Sequence, residues 1–294
     1  MNNSVFFTVI ITTYQRAELV ETAIKSVLNQ EFTDFELLVV DDGSTDNTKT
    51  IINGIEDSRL QYTYQENQGV SEARNNGIKL SKGKYICFLD DDDTYKSNHL
   101  QAFYNYITIH NNPIGLLRTY AEIHHIAKPS YNQKIIKQGN EHLIEFLMTG
   151  ANLYTPNICI PCEVFDKFLF NRKYIPTEDY EMWLRIASEY PLIEIPEYTT
   201  NIYFREKSLS TGSEGTHKVY IKAWTEIFLQ PYNAKHISIK TKQKTLFKRY
   251  VWLAVEQSKN KKTIKSLISC IQATGKQPFF ILNKKFYSII IKSI

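Results

Sequence analysis

The chain has 294 residues, 43% hydrophobic and 22% charged, which supplies a sizeable core and excludes global disorder. The formal net charge of +4 is unevenly spread: residues 235–294 hold 14 Lys and Arg against one acid, Glu256, a net of +13, while residues 1–234 hold 21 basic and 30 acidic side chains, a net of −9. That asymmetry marks a basic tail suited to an anionic surface. With no basic n-region before the apolar run at 5–11 and no window of ~18 apolar residues, the reading is a cytoplasmic chain with peripheral membrane contact at most.

Taken in chain order, residues 5–12 form a short β-branched run that reads as a buried strand. Leu19, Val20, Ala23, Ile24, Val27 and Leu28 then fall at helical spacing over 17–28. A second buried strand over 35–40 stops at Asp41-Asp42-Gly43-Ser44, and Thr45 or Asp46 caps a helix that runs to about Gly54. A strand over 60–64, a helix over 71–80 and a strand over 85–89 follow, the last running into Asp90–Asp93. This alternation predicts a mostly parallel sheet with helices on both faces, which binds ligands at the carboxyl ends of its strands. Beyond residue 112 the pattern loosens into strands over 114–126 and 156–160 and helices over 141–148 and 179–190. Residues 202–215 read as a mobile loop, and amphipathic helices follow over 219–229, 245–257 and 263–273. Cys159 and Cys162 form a lone Cys-x-x-Cys without a second pair or a nearby His, which reads as reduced thiols rather than a zinc site.

The chemistry concentrates in the carboxylates. Four adjacent aspartates repel one another unless something neutralises them. Hard divalent cations favour oxygen ligands and are held by one or two carboxylates together with substrate phosphates. A carboxylate cluster at one strand end, with Asp41 and Asp42 at another, suits a metal–diphosphate complex.

Five segments in order carry a specific resemblance. They are Thr8-Val-Ile-Ile-Thr-Thr-Tyr-Gln-Arg16, Phe35-Glu-Leu-Leu-Val-Val-Asp-Asp-Gly-Ser-Thr-Asp46, Asn67-Gln-Gly-Val-Ser-Glu-Ala-Arg-Asn-Asn-Gly77, Gly83-Lys-Tyr-Ile-Cys-Phe-Leu-Asp-Asp-Asp-Asp93 and Thr177-Glu-Asp-Tyr-Glu-Met-Trp-Leu-Arg185. Together they resemble family 2 of the inverting glycosyltransferases, over about residues 5–205. The resemblance implies the GT-A fold, a Rossmann-like α/β architecture, with a transferase domain over 1–215. Residues 1–112 would bind the nucleotide sugar, 113–215 the acceptor, and 216–294 would form a basic helical extension. It also implies a donor built on a nucleoside diphosphate, UDP in particular, and a Mn²⁺ or Mg²⁺ ion.

The resemblance assigns roles to residues. Thr12 and Tyr14 would meet the nucleoside, Tyr14 by stacking on the base. Asp42 would accept a hydrogen bond from the base, with Asp41 beside it, and Arg74 would reach the diphosphate or uridine. The Asp-x-Asp motif falls on Asp90-Asp91-Asp92, with Asp92 on the metal, Asp90 and Asp91 near ribose and sugar, and Asp93 capping the next turn. Four aspartates in a row also permit a register shifted by one. Asp179 matches the general base that takes the acceptor's proton as that oxygen attacks the anomeric carbon, and Glu178 orients the acceptor or Asp179.

Two other functions compete with this one. A sugar nucleotidyltransferase would carry a Gly-rich phosphate loop where Thr12–Arg16 stands without glycine; a non-catalytic binding module would have lost Asp92 or Asp179. The loop at 202–215 is expected to close over bound donor, with Gly212 and Gly215 as hinges and Arg205, Lys207 and His217 approaching the diphosphate. The tail, in which Phe279, Phe280, Phe286 and Tyr287 alternate with lysines, is expected to meet an anionic membrane and bring the enzyme to a glycan or lipid-linked acceptor. No nucleic-acid partner is expected.

Overall fold

The first apolar run forms β1 (Phe7–Thr13), six of whose seven residues are buried, as only a strand covered on both faces requires. These and the following elements come from a computed structural model that describes residues 5–125, 128–135, 142–149, 153–204, 213–260 and 262–276. Helix α1 (Ala17–Leu28) buries Val20, Ala23, Ile24 and Val27, spaced so that they form one stripe against the sheet. Strand β2 (Phe35–Asp41), helix α2 (Thr48–Asn53), strand β3 (Leu60–Tyr64), helix α3 (Val70–Leu80) and strand β4 (Tyr85–Asp90) complete the alternation.

The chain divides into two units. The first comprises Met1–Gln138, Ala151–Arg172 and Glu178–Arg205 and holds the sheet. After β4 come β5 (Thr94–Tyr95), α4 (His99–Ile109), β6 (Leu116–His125) and β7 (Lys128–Asn132). In the sheet order β3-β2-β1-β4-β8-β6-β9-β5, β7 pairs with β6; β8 is Ile158–Pro161 and β9 is Leu192–Phe204. Strands β3, β2, β1 and β4 are mutually parallel. The next strand, β8, joins β4 antiparallel, and β6 and β9 are parallel to each other. Chain order runs β1 to β3 one way and then returns to place β4 on the other side of β1, so the carboxyl ends of β1 and β4 form the topological switch point at which sheets of this kind bind ligands. Helix α6 (Glu178–Ala187) packs onto this sheet through Met182, Trp183 and Ile186, all fully buried. Phe88 of β4 meets Trp183 and Phe170 at 6.5 and 5.5 Å between ring centroids.

Strand β9 was not legible beforehand. Its burial alternates irregularly, it contains Pro196, and it is polar at Thr200 and Asn201, where it pairs with β5. The loop expected at 202–215 therefore starts inside a strand, because Ile202, Tyr203 and Phe204 pair with Ile123, His124 and His125. Arg205, Lys207 and Gly212 lie outside the described residues. Gly215 sits in the first turn of α7 (Glu214–Leu229), and His217 is buried in that helix.

The second unit comprises Gly139–Gly150, Lys173–Thr177 and Glu206–Ile294. Its described part is helical: α5 (Leu143–Thr149), α7, α8 (Pro231–Ala234), α9 (Ile239–Lys259) and α10 (Thr263–Thr274). Glu145 of α5 accepts from the backbone and hydroxyl of Ser238 at 2.8 and 2.9 Å, and from Thr241, at the start of α9. Negative charge there opposes the positive helix terminus. Helices α9 and α10 pack through Val251, Ala254, Cys270 and Ala273, and the Ser266 hydroxyl donates to the Ala254 carbonyl at 2.9 Å. The aromatic part of the tail, 279–291, lies outside the described residues.

One close approach in the first unit is testable. A Cβ on Gly83 would lie 2.3 Å from the Thr8 backbone nitrogen, whereas one on Gly275 meets nothing nearer than 3.6 Å. Gly83→Ala is therefore expected to destabilise the fold by about 1–3 kcal/mol or more, because a backbone atom cannot rotate aside. Thermal melting beside Gly275→Ala checks this, and equal melting temperatures would refute it.

Candidate active site

Register brings the site together. In the sheet Thr12 stands beside Asp90 and Thr13 beside Asp41. The four aspartates then part, because the chain turns sharply after β4, with the Asp93 N–H donating to the Asp90 carbonyl at 3.1 Å. Asp90 accepts from Arg74 at 2.8 Å. Asp91 accepts from the Thr13 hydroxyl at 2.7 Å. Asp92 pairs with Arg16 at 3.3 Å. Asp93 accepts from the Tyr203 N–H of β9 at 2.9 Å. Asp93 thus holds the turn to β9.

Burial raises two of these carboxyls. Asp91 is pushed up to about 7, chiefly by desolvation, with Thr13 and Arg16 opposing and Asp92 and Asp90 adding to the rise. Asp93 lies well above the usual carboxylate range for the same first reason, reinforced by Asp90 and Asp92. Full ionisation of all four would leave more negative charge than Arg16 and Arg74 neutralise, an environment a divalent cation would relieve. Among the described residues no three His, Cys, Asp or Glu side chains form a ready metal cage. The aspartates fit a hard cation that takes one or two protein oxygens and completes its shell from phosphate and water.

The Asp41–Ser44 loop is tightly built. Asp41 is fully buried; its carboxylate accepts from the Ser44 N–H and the Tyr62 hydroxyl, both at 2.8 Å. Asp42 accepts from Gln65 at 2.7 Å and from the Gln68 and Gly69 N–H groups at 2.9 and 2.8 Å. A carboxylate has about four acceptor positions, so Asp42 keeps little capacity for a ligand. Gly43 has φ +91, and a Cβ there would stand 2.8 Å from the Asn67 nitrogen, which is why this turn needs glycine. Tyr14 is 48% exposed at the rim, open to stacking, and Thr12 is half-buried next to it.

Gln15, Arg16 and Thr13 escaped the sequence reading. Gln15 takes the left-handed conformation (φ 54), donates through its amide to Thr45 at 2.8 Å, and accepts from the Thr45 and Asp46 N–H groups at 3.3 and 3.1 Å. This latch aims Arg16 at Asp92. Their signal in the sequence is the polar stretch Thr12–Arg16 at a strand's carboxyl end.

Glu178 and Asp179 open α6. Asp179 is pushed up to about 7, first by burial and then by Glu178 and Asp90, with Arg74 and the Tyr180 N–H opposing. Glu178 binds Arg74 through Oε1 at 3.1 Å, while its buried Oε2 has no protein partner among the described residues. Arg74, expected near the diphosphate or uridine, carries ion pairs on both terminal nitrogens, to Asp90 and Glu178. The first unit therefore places a near-neutral carboxyl, an acceptor oxygen and a strand-end carboxylate cluster around one buried guanidinium, an arrangement suited to moving a proton beside a charged ligand.

Comparison with solved structures places the fold. The chain overlays S. aureus TarS 1-349 in complex with UDP-GlcNAc with a TM-score of 0.66 at 18% identity, covering 98% of this chain and 88% of that one. The mannosyltransferase PcManGT from Pyrobaculum calidifontis, in complex with GDP-Man and Mn²⁺, gives 0.61 at 13% identity, covering 99% and 85%. The fold is thus GT-A, as the resemblance implied.

Residues 8–176 match the family model described as Glycosyl transferase family 2, and the chain belongs to that family. Among its relatives, a Campylobacter jejuni GalNAc(5)-diNAcBac-PP-undecaprenol beta-1,3-glucosyltransferase is 27% identical over 90% of this chain and 86% of its own length. The Escherichia coli UDP-Glc:alpha-D-GlcNAc-diphosphoundecaprenol beta-1,3-glucosyltransferase WfaP is 28% identical over 79% of this chain and 86% of its own. Against an uncharacterized glycosyltransferase of Rickettsia bellii, 33% identical over 61% of this chain, the match spans only 26% of the relative's length.

Proposed function

We propose that the protein transfers a sugar, with inversion, from a UDP-sugar to a hydroxyl of a glycan on a lipid diphosphate carrier, with Asp179 as general base. The observation that carries this reading is Asp179 itself: a part-buried carboxyl, pushed up to about 7, on the same unit as the aspartate cluster at the end of β4. A base with a pKa close to working pH is ionised often enough to act and basic enough to accept the acceptor's proton. Glu178, with one oxygen unpartnered, orients the acceptor hydroxyl. Tyr14 stacks on the base at the rim and Thr12 lies beside the nucleoside, while Asp42 offers its remaining acceptor position to the base, with Asp41 beside it. Asp90 and Asp91 border ribose and sugar. Asp92 would hold a Mn²⁺ or Mg²⁺ ion, which when bound offsets the charge of the departing diphosphate. The donor nucleotide is argued from the UDP-GlcNAc complex of the TarS neighbour, and the acceptor class from the undecaprenol-linked substrates of the two bacterial relatives. In this reading residues 1–215 carry the transfer, with 1–112 for the donor and 113–215 for the acceptor.

The deciding experiment is a donor screen: UDP-, GDP- and dTDP-sugars with Mn²⁺, read by calorimetric binding and by donor hydrolysis. Binding of none of them, or preference for a GDP-sugar, removes the UDP assignment.

The basic tail, residues 235–294, is proposed to meet the anionic membrane that presents the acceptor. No helix among the described residues is long and apolar enough to cross a membrane. Ile264, Ile268 and Ile271 form an exposed stripe on α10, with Lys262 and Lys265 near it, the pattern of an interfacial helix. The full chain is expected to sediment with anionic vesicles at low salt and to release partly as salt rises, since exposed charges are screened beyond about 8 Å at physiological ionic strength. Failure to sediment at low salt removes the membrane role.

A further inference from the structure

Helix α3 carries the sequence Ala73-Arg74-Asn75-Asn76-Gly77, and each of these residues makes a distinct contact. Ala73 is fully buried. Gly77 lies so close to β1 that a Cβ would stand 2.6 Å from the Ile10 side chain. Asn76 donates to Gln65 at 2.9 Å, and Gln65 in turn donates to Asp42. Asn75 makes a reciprocal pair with the backbone of Phe170, donating to its carbonyl and accepting from its N–H, both at 2.9 Å. Arg74 lies over the Phe170 ring at 5.3 Å, with a side chain only 7% exposed, and reaches Asp90 at 2.8 Å and Glu178 at 3.1 Å. One helix thus grips β1, the Asp42 loop, the segment through Phe170 and the first residue of α6.

We infer that Arg74 is a positioning residue: its guanidinium fork fixes the base-bearing start of α6 against the donor end of β4 and keeps a positive charge beside Asp179. The inference rests on the reading of Asp179 as the base for its catalytic consequence, but not for its electrostatics. The charged groups that face Asp179 are Glu178 on its own helix, Asp90 on β4 and Arg74 on α3. Two are negative, and Arg74 supplies the opposing charge. A planar fork can hold two carboxylates at once in fixed directions, which a single ammonium does not. With both terminal nitrogens so engaged, the guanidinium cannot turn to a donor diphosphate without releasing one of them.

The test is a thermodynamic cycle on the full chain. Arg74→Gln, Asp179→Asn and the double variant are melted between about pH 5 and about pH 8. Arg74→Gln is expected to melt below wild type, by a margin that widens as pH rises, because Asp179 then ionises with no opposing charge beside it. Asp179→Asn is expected to raise the melting temperature more in the Arg74→Gln background than in wild type. Equal increments in both backgrounds overturn the inference whatever reaction the protein performs.

The catalytic readout uses the donor selected by the screen. The acid limb of kcat/KM is expected to move up by about one pH unit in Arg74→Gln, the low end of the effect of a neighbouring charge. Arg74→Lys keeps the charge, so its limb stays in place, while its kcat falls at every pH for want of the fork. That variant also decides the matter if Arg74→Gln does not fold, since wild-type kcat from Arg74→Lys would overturn positioning by the fork. An unmoved limb in Arg74→Gln with weakened donor binding would return Arg74 to the diphosphate. Should no donor turn over at all, the glycosyl-transfer reading fails while the melting cycle still judges Arg74.

Discussion

Replacing Asp179 by Asn should lower glycosyl transfer by roughly 10²–10⁴-fold while leaving donor affinity near its wild-type value, the scale expected when a general base is lost. The amide is nearly isosteric but cannot take the acceptor's proton. In the wild type, kcat/KM should rise about tenfold per pH unit below about 7 and level above it, because only the ionised carboxylate acts and the carboxyl is held at about 7. Stability should move the opposite way. The folded carboxyl binds its proton more tightly than the unfolded one, so the stability it lends is full below the unfolded value of about 3.8 and is lost as pH rises through about 7. Asp179→Asn should therefore melt above wild type at about pH 8 and show no such gain below about pH 4. A variant that transfers at the wild-type rate would move the base elsewhere. The same mechanism demands inversion, so an α-linked donor should give a β-linked product by anomeric proton coupling.

Asp92→Asn is the second large effect. The variant should fold but lose the part of nucleotide-sugar binding that depends on a divalent cation, because a neutral amide is a poor ligand for a hard ion. In the wild type, chelation with EDTA should weaken binding to the level of the variant, measured by calorimetry without any turnover. The Arg16–Asp92 pair sharpens the expectation. At 3.3 Å, with side chains 32% and 18% exposed, it is weak enough to yield to a doubly charged ion. Nucleotide-sugar affinity that is identical in both proteins, with and without EDTA, would discard Asp92 as a ligand.

Much of the donor half was legible because its signals are local. The strands at the start of the chain are continuous β-branched runs, α1 repeats its apolar residues at the helical period, and Asp-Asp-Gly-Ser can only be a turn. Strand β9 and the 202–204 boundary were not legible, since a polar strand with a proline earns its pairing from β5 and β6, which are distant in sequence. The helices of the extension were placed by periodicity but drawn short: α9 starts at Ile239 and α7 at Glu214, where Ser238 and Ser213 accept the first helical N–H groups.

What the sequence by itself determined was the class of chemistry: the residue types, their order, and the strand ends at which they would gather. What only the tertiary structure decided was the division of labour among identical side chains. Asp90 to Asp93 are four copies of one residue, yet one meets Arg74, one Thr13, one Arg16 and one the backbone of Tyr203. Asp179 differs from an exposed carboxylate only through burial and through Glu178, Asp90 and Arg74 around it. Arg74 is 104 residues from Glu178 along the chain and in hydrogen-bond contact with it in space. A carboxyl's proton affinity is set by the charges and solvent around it, and those neighbours exist only once the chain has folded.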